Sequence, residues 1–107
     1  MGLRLSRVSF HPAFYDDLRA ATTFYANVDR SLPARLREIL RKKVRLIRQH
    51  PSIGGPLDEP FRRVFIPPFP YMIVYRVADG VVRVLALLDA RRDPEWIRAT
   101  IQGREPR

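Results

Sequence analysis

Two extended apolar runs, Tyr71 to Ala78 and Val81 to Leu88, are separated by only Asp79-Gly80. A two-residue loop of this composition favours a type I′ turn, because aspartate tolerates and glycine readily adopts the positive φ that such a turn requires at both positions. The twist of that turn matches the twist of its flanking strands, so the second half of the chain must contain an antiparallel hairpin. Every other element has to be arranged around it.

Upstream, the extended period also occurs at Phe61 to Ile66, and Pro67-Pro68-Phe69-Pro70 reads as a connection, since three prolines in four residues cannot support a central strand. The first half has two segments of helical period. Leu3 to Phe10 has strand-like composition, after which His11-Pro12 opens a helix with Phe14, Leu18, Ala21, Tyr25 and Val28 on one face. Asp29 to Pro33 interrupts the pattern. A second helix then carries Leu36, Ile39, Leu40, Val44 and Ile47 on its apolar side, with Arg35, Arg41, Lys42, Arg45 and Arg48 opposite. It ends near His50, because Pro51 disfavours helical dihedrals at its predecessor and Gly54-Gly55-Pro56 cannot continue a helix. Asp93-Pro94-Glu95 resembles a cap followed by a short helix to about Gln102 with Trp96, Ile97 and Ile101. The order is β-α-α-β-β-β-α. An α+β fold follows, with the N-terminal helical hairpin packed on a mostly antiparallel sheet of three or four strands, and residues 1–107 are expected to form a single domain.

Charge departs most from the average: twenty Lys and Arg oppose eleven Asp and Glu, a net +9, so an acidic partner is expected. The excess lies in the first half, with eleven basic and four acidic residues up to His50 against nine and seven beyond it. Arginine outnumbers lysine eighteen to two, which suits bidentate contact with phosphate or carboxylate. The chain has no cysteine, which excludes disulfides, thiol nucleophiles and Cys-containing zinc sites and favours a reducing compartment such as the cytoplasm. No apolar run approaches the length needed to span a bilayer, and the alternating N-terminus does not read as a secretory signal. Met1-Gly2 with Ser6 fits a loose myristoylation pattern, but the same stretch reads better as part of the first strand. No metal-ligand spacing links His11 and His50, which flank helix ends beside prolines and are expected to cap or lie at the surface; no metal or cofactor is implied.

The element order, together with Phe10-His11-Pro12, the strand Tyr71-Met72-Ile73-Val74-Tyr75-Arg76-Val77, and Val84-Leu85-Ala86-Leu87-Leu88 leading into Arg91-Arg92-Asp93-Pro94, resembles the RelE/ParE superfamily of type II toxins, the plasmid-stabilisation toxins among them. Arg62, the turn from Pro51 to Gly54, and the pair Tyr75-Arg76 stand where such toxins carry similar residues. The resemblance covers most of the chain. It implies a toxin neutralised by an antitoxin encoded beside it, through an acidic, partly disordered region. Within the superfamily, RelE-like members cleave mRNA on the ribosome, and ParE-like members are associated with inhibition of DNA gyrase.

These activities need different chemistry. A ribonuclease must stabilise a phosphorane and move two protons, whereas a gyrase inhibitor needs a surface. Arg91 and Arg92 stand where RelE-like nucleases carry a catalytic arginine and Trp96 stands near their tyrosine, but an indole cannot serve as acid or base. Asp89 takes the place of a histidine common in relatives and could instead orient an arginine. The stretch Ser52 to Pro60 contains no basic residue, so the lysine pair of RelE-like toxins has no counterpart. Lys42 and Lys43 are expected on a solvated face, Trp96 in the packing of the last helix, and Tyr71 and Tyr75 on one face of their strand. Arg62 and Arg63 should point to opposite faces.

The leading expectation is therefore a ParE-like toxin that binds an essential target, with gyrase one candidate, through Arg91 and Arg92, and meets its partners also through Arg41, Lys42, Arg45 and Arg48. One alternative is a RelE-like, metal-independent mRNA endonuclease acting on the ribosome, with Arg62, Arg76, Arg91, Arg92 and Trp96 as its catalytic set. The other is a non-toxic basic nucleic-acid-binding module. No membrane partner is expected.

Overall fold

The computed structural model describes residues 5–104. Strand β1 (Arg7–Phe10) leads into helices α1 (Pro12–Ala26) and α2 (Leu32–Gln49), followed by strands β2 (Gly55–Asp58), β3 (Phe61–Phe65), β4 (Tyr71–Ala78) and β5 (Val81–Asp89), and by helix α3 (Pro94–Arg104). The sheet order is β1-β5-β4-β3-β2; β1 runs parallel to β5, and the remaining pairs are antiparallel. The hairpin turn is as expected, with φ of 54° at Asp79 and 74° at Gly80.

Three expectations need correction. The sheet has five strands, because Gly55–Asp58 pairs along β3 as an outer strand. Its glycine and proline read as a breaker in sequence, yet an edge position tolerates a residue that lacks an N–H. Helix α1 stops at Ala26, which leaves Val28 in the following turn and well exposed. Strand β1 begins at Arg7; Leu3 and Arg4, where the sequence pattern starts it, lie outside the described residues, as do Met1 and Gly2.

Apolar side chains are buried on both faces of the sheet. On one face, Ile73, Tyr75, Val82, Val84 and Leu87 pack against Phe14, Ala21, Leu36, Leu40 and Ile47 of the helical hairpin. On the other, Phe61, Met72, Val74, Leu85, Ala86 and Leu88 pack against Ile97 and Ile101 of α3. The register of β4 and β5 slips between Val74, opposite Ala86, and Tyr75, opposite Val84. Leu85 is the extra residue of a bulge, so it and Ala86 both point towards α3.

Two polar clusters tie the layers together. Beyond Val84, β5 has no strand beside it on the β1 side, and its exposed edge is taken up by an ion pair between α1 and α3. The Leu87 N–H donates to Asp17 at 3.0 Å, the Arg104 guanidinium grips the same carboxylate, and its Nη1 also donates to the Leu85 carbonyl at 3.2 Å. The second cluster pins the turn after α2. The Tyr75 hydroxyl, fully buried, donates to the Pro51 carbonyl at 2.7 Å and accepts from the Gly54 N–H at 2.9 Å. Arg62 donates to the carbonyls of Gly54 at 2.8 Å and Ser52 at 3.2 Å. Only glycine fits here, since a Cβ at Gly54 would lie 2.6 Å from the phenol oxygen.

Burial raises the pKa of the Tyr75 phenol, an effect partly offset by the Gly54 hydrogen bond. The stability contributed by the neutral phenol is thus fully present below its ordinary pKa and is lost as pH rises through the raised folded value. Tyr75→Phe should lower unfolding stability by about 1–3 kcal/mol at neutral pH, because it orphans two backbone groups. The variant should also lose less of its stability than the parent as the solution becomes alkaline. Urea unfolding across pH checks both, and an unchanged midpoint in Tyr75→Phe would show that the phenol does not anchor the turn.

Candidate functional site

The fold puts the basic residues of the first half beside an apolar groove. Val8 and Phe10 of β1, Phe14 and Tyr15 of α1, and Leu40 and Val44 of α2 line a depression of about 520 Å³, and Arg41, Lys42, Arg45 and Arg48 stand along it. Residues 41, 45 and 48 follow helical spacing, which gathers their cations on one side of α2. All four arginines and lysines expected on this helix to meet a partner are therefore brought together. They are not equally available. Arg48 Nε donates to the Ser6 carbonyl at 3.0 Å, tying α2 to the approach of β1, whereas Lys42 makes only an exposed pair with Glu38 at 3.3 Å. Phe10, Phe14 and Tyr15 pack mutually, with ring centroids 5.1–5.9 Å apart.

The arginines at the end of β5 are held differently. Arg91 turns back on Asp89, with Nε and Nη2 donating to the two carboxylate oxygens at 3.0 and 2.8 Å while the Arg91 N–H donates to one of them at 2.9 Å. These hydrogen bonds hold the Asp89 carboxyl below the usual carboxylate range and raise the Arg91 guanidinium, with the attraction of the opposite charge acting in the same direction. Arg92 lies over the Trp96 ring at 3.8 Å, a cation–π contact that fixes the direction of both side chains. Contrary to the packing expected for Trp96, its indole is 37% exposed, because Ile97 and Ile101 occupy the side of α3 that faces the sheet. The helix starts where expected, with Asp93 Oδ1 accepting from the Glu95 N–H at 3.0 Å.

Arg62 and Arg76 are not brought to this place. Arg62 faces the helical hairpin and is engaged with the turn after α2. Arg76 faces the other side, 6.0 Å from the Phe61 ring and opposite Arg83. The strand register sets Arg76 five residues from Tyr71, the partner of Asp89, which is about 17 Å along the ribbon. His11 caps α1, accepting the Ala13 N–H through Nδ1 at 3.0 Å, and His50 ends α2. Among the described residues no group of three His, Asp or Glu is placed to hold a metal ion.

Sequence reasoning missed a second depression, about 250 Å³, between β3 and α3. Phe61, Met72, Ile97 and Ile101 form its apolar floor, and Arg63, Arg92 and Arg98 stand at its rim. Two signals could have found it. Alternation along β3 sends Arg63 to the same face as Phe61, and helical spacing sets Arg98 one turn beyond Pro94.

A family model described as the ParE toxin of type II toxin–antitoxin system, parDE, matches residues 8–94. Toxin ParE2 of Mycobacterium tuberculosis is 30% identical over 99 residues, which span 92% of this chain and 94% of that protein. Among solved structures, one described as the chromosomal ParDE TA system from P. aeruginosa superposes with a TM-score of 0.68 at 17% identity, covering 78% of this chain and 94% of its own. The free state of a double arginine-to-alanine mutant of E. coli toxin RelE gives 0.63 at 18% identity, covering 94% of both chains. At such identities the two structures speak for the fold. The family match runs from β1 to the first residue of α3 and so includes Asp89, Arg91 and Arg92: the chain belongs to the ParE toxin family of type II toxin–antitoxin systems.

Proposed function

We propose that this ParE-family chain arrests growth by binding an essential protein in the bacterial cytoplasm, with DNA gyrase the candidate that the family offers, and that a cognate antitoxin neutralises it. The observation that carries this reading is the dispersion of the arginines. A phosphoryl-transfer site would need several cations about one scissile phosphate. Arg62, Arg76 and the pair Arg91-Arg92, the set a nuclease reading would use, instead occupy different faces and ends of the sheet, and the three arginines that do converge, Arg63, Arg92 and Arg98, stand around an apolar floor. Arg91 and Arg92 are held in place by Asp89 and Trp96, so they form a patch that loses little side-chain freedom on docking.

The antitoxin is read as an acidic, partly disordered segment that orders along the groove between β1, α1 and α2. An apolar groove rimmed by cations suits an amphipathic segment with carboxylates on one side. That a structure of the same fold is described as a ParDE TA system is in keeping with an antitoxin partner. On this reading the two surfaces divide the work: the end of β5 meets the target, and the basic helix meets the antitoxin.

Induced expression without the antitoxin should arrest growth. Replacing Arg91 and Arg92 together with alanine should abolish the arrest while leaving the circular dichroism and antitoxin affinity near those of the parent. Lys42→Ala with Arg45→Ala should weaken antitoxin association and leave the arrest intact. A gyrase supercoiling assay beside a ribosome toeprint identifies the target: a toeprint without an effect on supercoiling would replace this reading with the nuclease, and harmless expression of soluble protein would favour a nucleic-acid-binding module. Encounter with an acidic antitoxin is steered by charge, so its on-rate should fall by about tenfold between low and physiological salt. A salt-independent on-rate, measured by stopped flow, would remove the electrostatic part of the account.

A further inference from the structure

The depression between β3 and α3 has a chemistry of its own. Phe61, Met72, Ile97 and Ile101, each at least nine-tenths buried, give it an apolar floor, and Asp58 and Gln102 add polar groups to its lining. Its rim is cationic. Arg63 lies 5.2 Å from the Phe65 ring, Arg92 lies over Trp96, and Arg98 pairs with Asp58 at 3.4 Å. Asp58 thus offsets one of the three charges, Asp89 acts on Arg92 only through longer-range attraction, and among the described residues neither Arg63 nor Arg92 makes a salt bridge. A pocket of about 250 Å³ has room for one large side chain.

This combination selects among ligands. A bare phosphate or sulfate would gain nothing from the apolar floor. A nucleotide base laid on that floor would lose its hydrogen bonds to water, which is costly, and of the polar side chains that line the cavity only Gln102 offers both a donor and an acceptor in return. An aromatic or aliphatic side chain flanked by carboxylates meets both features, with the apolar group filling the pocket and the carboxylates accepting from Arg63 and Arg92. A large apolar anchor buried in a well-packed pocket is a common form of protein–protein hot spot.

We propose that the β3–α3 cavity is a docking site for an acidic segment of a protein partner, which inserts one large apolar side chain between Arg63 and Arg92. The site lies on the opposite face of the sheet from the helical-hairpin groove, so the two can be occupied by different partners. The proposal deepens the target-binding reading of Arg92 by naming the chemistry that this surface takes. It rests on that reading only for the partner's identity: peptide binding is measured on purified protein and does not depend on growth arrest.

The chain contains two methionines, Met1 and Met72, so a protein labelled with ¹³C-methyl methionine has one reporter inside the cavity, assigned with Met72→Leu. The probe is a short synthetic peptide with a central phenylalanine between aspartates, compared with the same peptide carrying alanine and with a short oligothymidylate. The phenylalanine peptide should shift the Met72 methyl signal, and the alanine peptide should bind about tenfold more weakly or worse. Arg63→Ala with Arg92→Ala should weaken the phenylalanine peptide by a comparable factor. Ala90→Leu, which narrows the cavity without touching its charges, should abolish the preference for phenylalanine. An unmoved Met72 signal at saturating peptide would overturn the proposal. So would equal binding of the two peptides, undiminished affinity in the arginine variant, or displacement of the peptide by oligothymidylate at lower concentration than by unlabelled peptide.

Discussion

The β4–β5 ribbon is buried on both of its faces, and this sets the demand that the rest of the chain meets. From Val82 to Leu88 only Arg83 is more than marginally accessible. Each large apolar side chain so placed contributes about 1.5–3 kcal/mol relative to its exposed state. Neither face can be left to water, so the ribbon requires a cover on each side. The helical hairpin supplies one and α3 the other. The bulge at Leu85 adjusts the fit, giving α3 two consecutive side chains where simple alternation would give one.

Two covers on one ribbon generate two outer surfaces, and these differ in chemistry because they come from different parts of the sequence. Helix α2 carries most of the cations of the first half on the side away from its buried stripe of Leu36, Leu40 and Ile47. Helix α3 is short and buries only Ile97 and Ile101, so it leaves a cavity beside β3 with these two and Phe61 and Met72 at its floor. The Asp17–Arg104 pair joins the two covers around the edge of β5. Its side chains are only 13–17% exposed and are satisfied by backbone groups as well as by each other. Desolvation of two such charges offsets much of their attraction, so the pair is weak evidence of net stability, while its geometry joins α1 to α3.

Much of this was legible in the sequence because it rests on local rules. Asp79-Gly80 specified its turn, Pro12 and Pro33 stand in the first turns of their helices, and the spacing of Leu36, Leu40 and Ile47 marked the buried face of α2. The basic groove was half legible: the cations could be named, but their apolar neighbours Val8, Phe10 and Tyr15 come from other elements. What escaped depends on long-range contact. Strand β2 exists only because β3 lies beside it, and its glycine and proline argue locally against a strand. Arg62 is engaged by a turn eight to ten residues away, and Asp17 meets Arg104 across most of the chain. Asp89 was legible as a residue able to orient an arginine, and it grips Arg91. The β3–α3 cavity was legible only in its parts: strand alternation places Arg63 with Phe61 and helical spacing places Arg98 one turn beyond Pro94, but the approach of these segments to one another and to Arg92 is long-range.

The central claim is that the two faces serve different partners. Hydrogen exchange on the complex with the cognate antitoxin proposed for it, compared with the chain alone, tests it most directly. The account predicts added protection in β1 and along α1 and α2, with the amides from Ala90 to Gln102 exchanging as they do in the unbound protein. Protection confined to that last segment, with the helical hairpin unchanged, would contradict it.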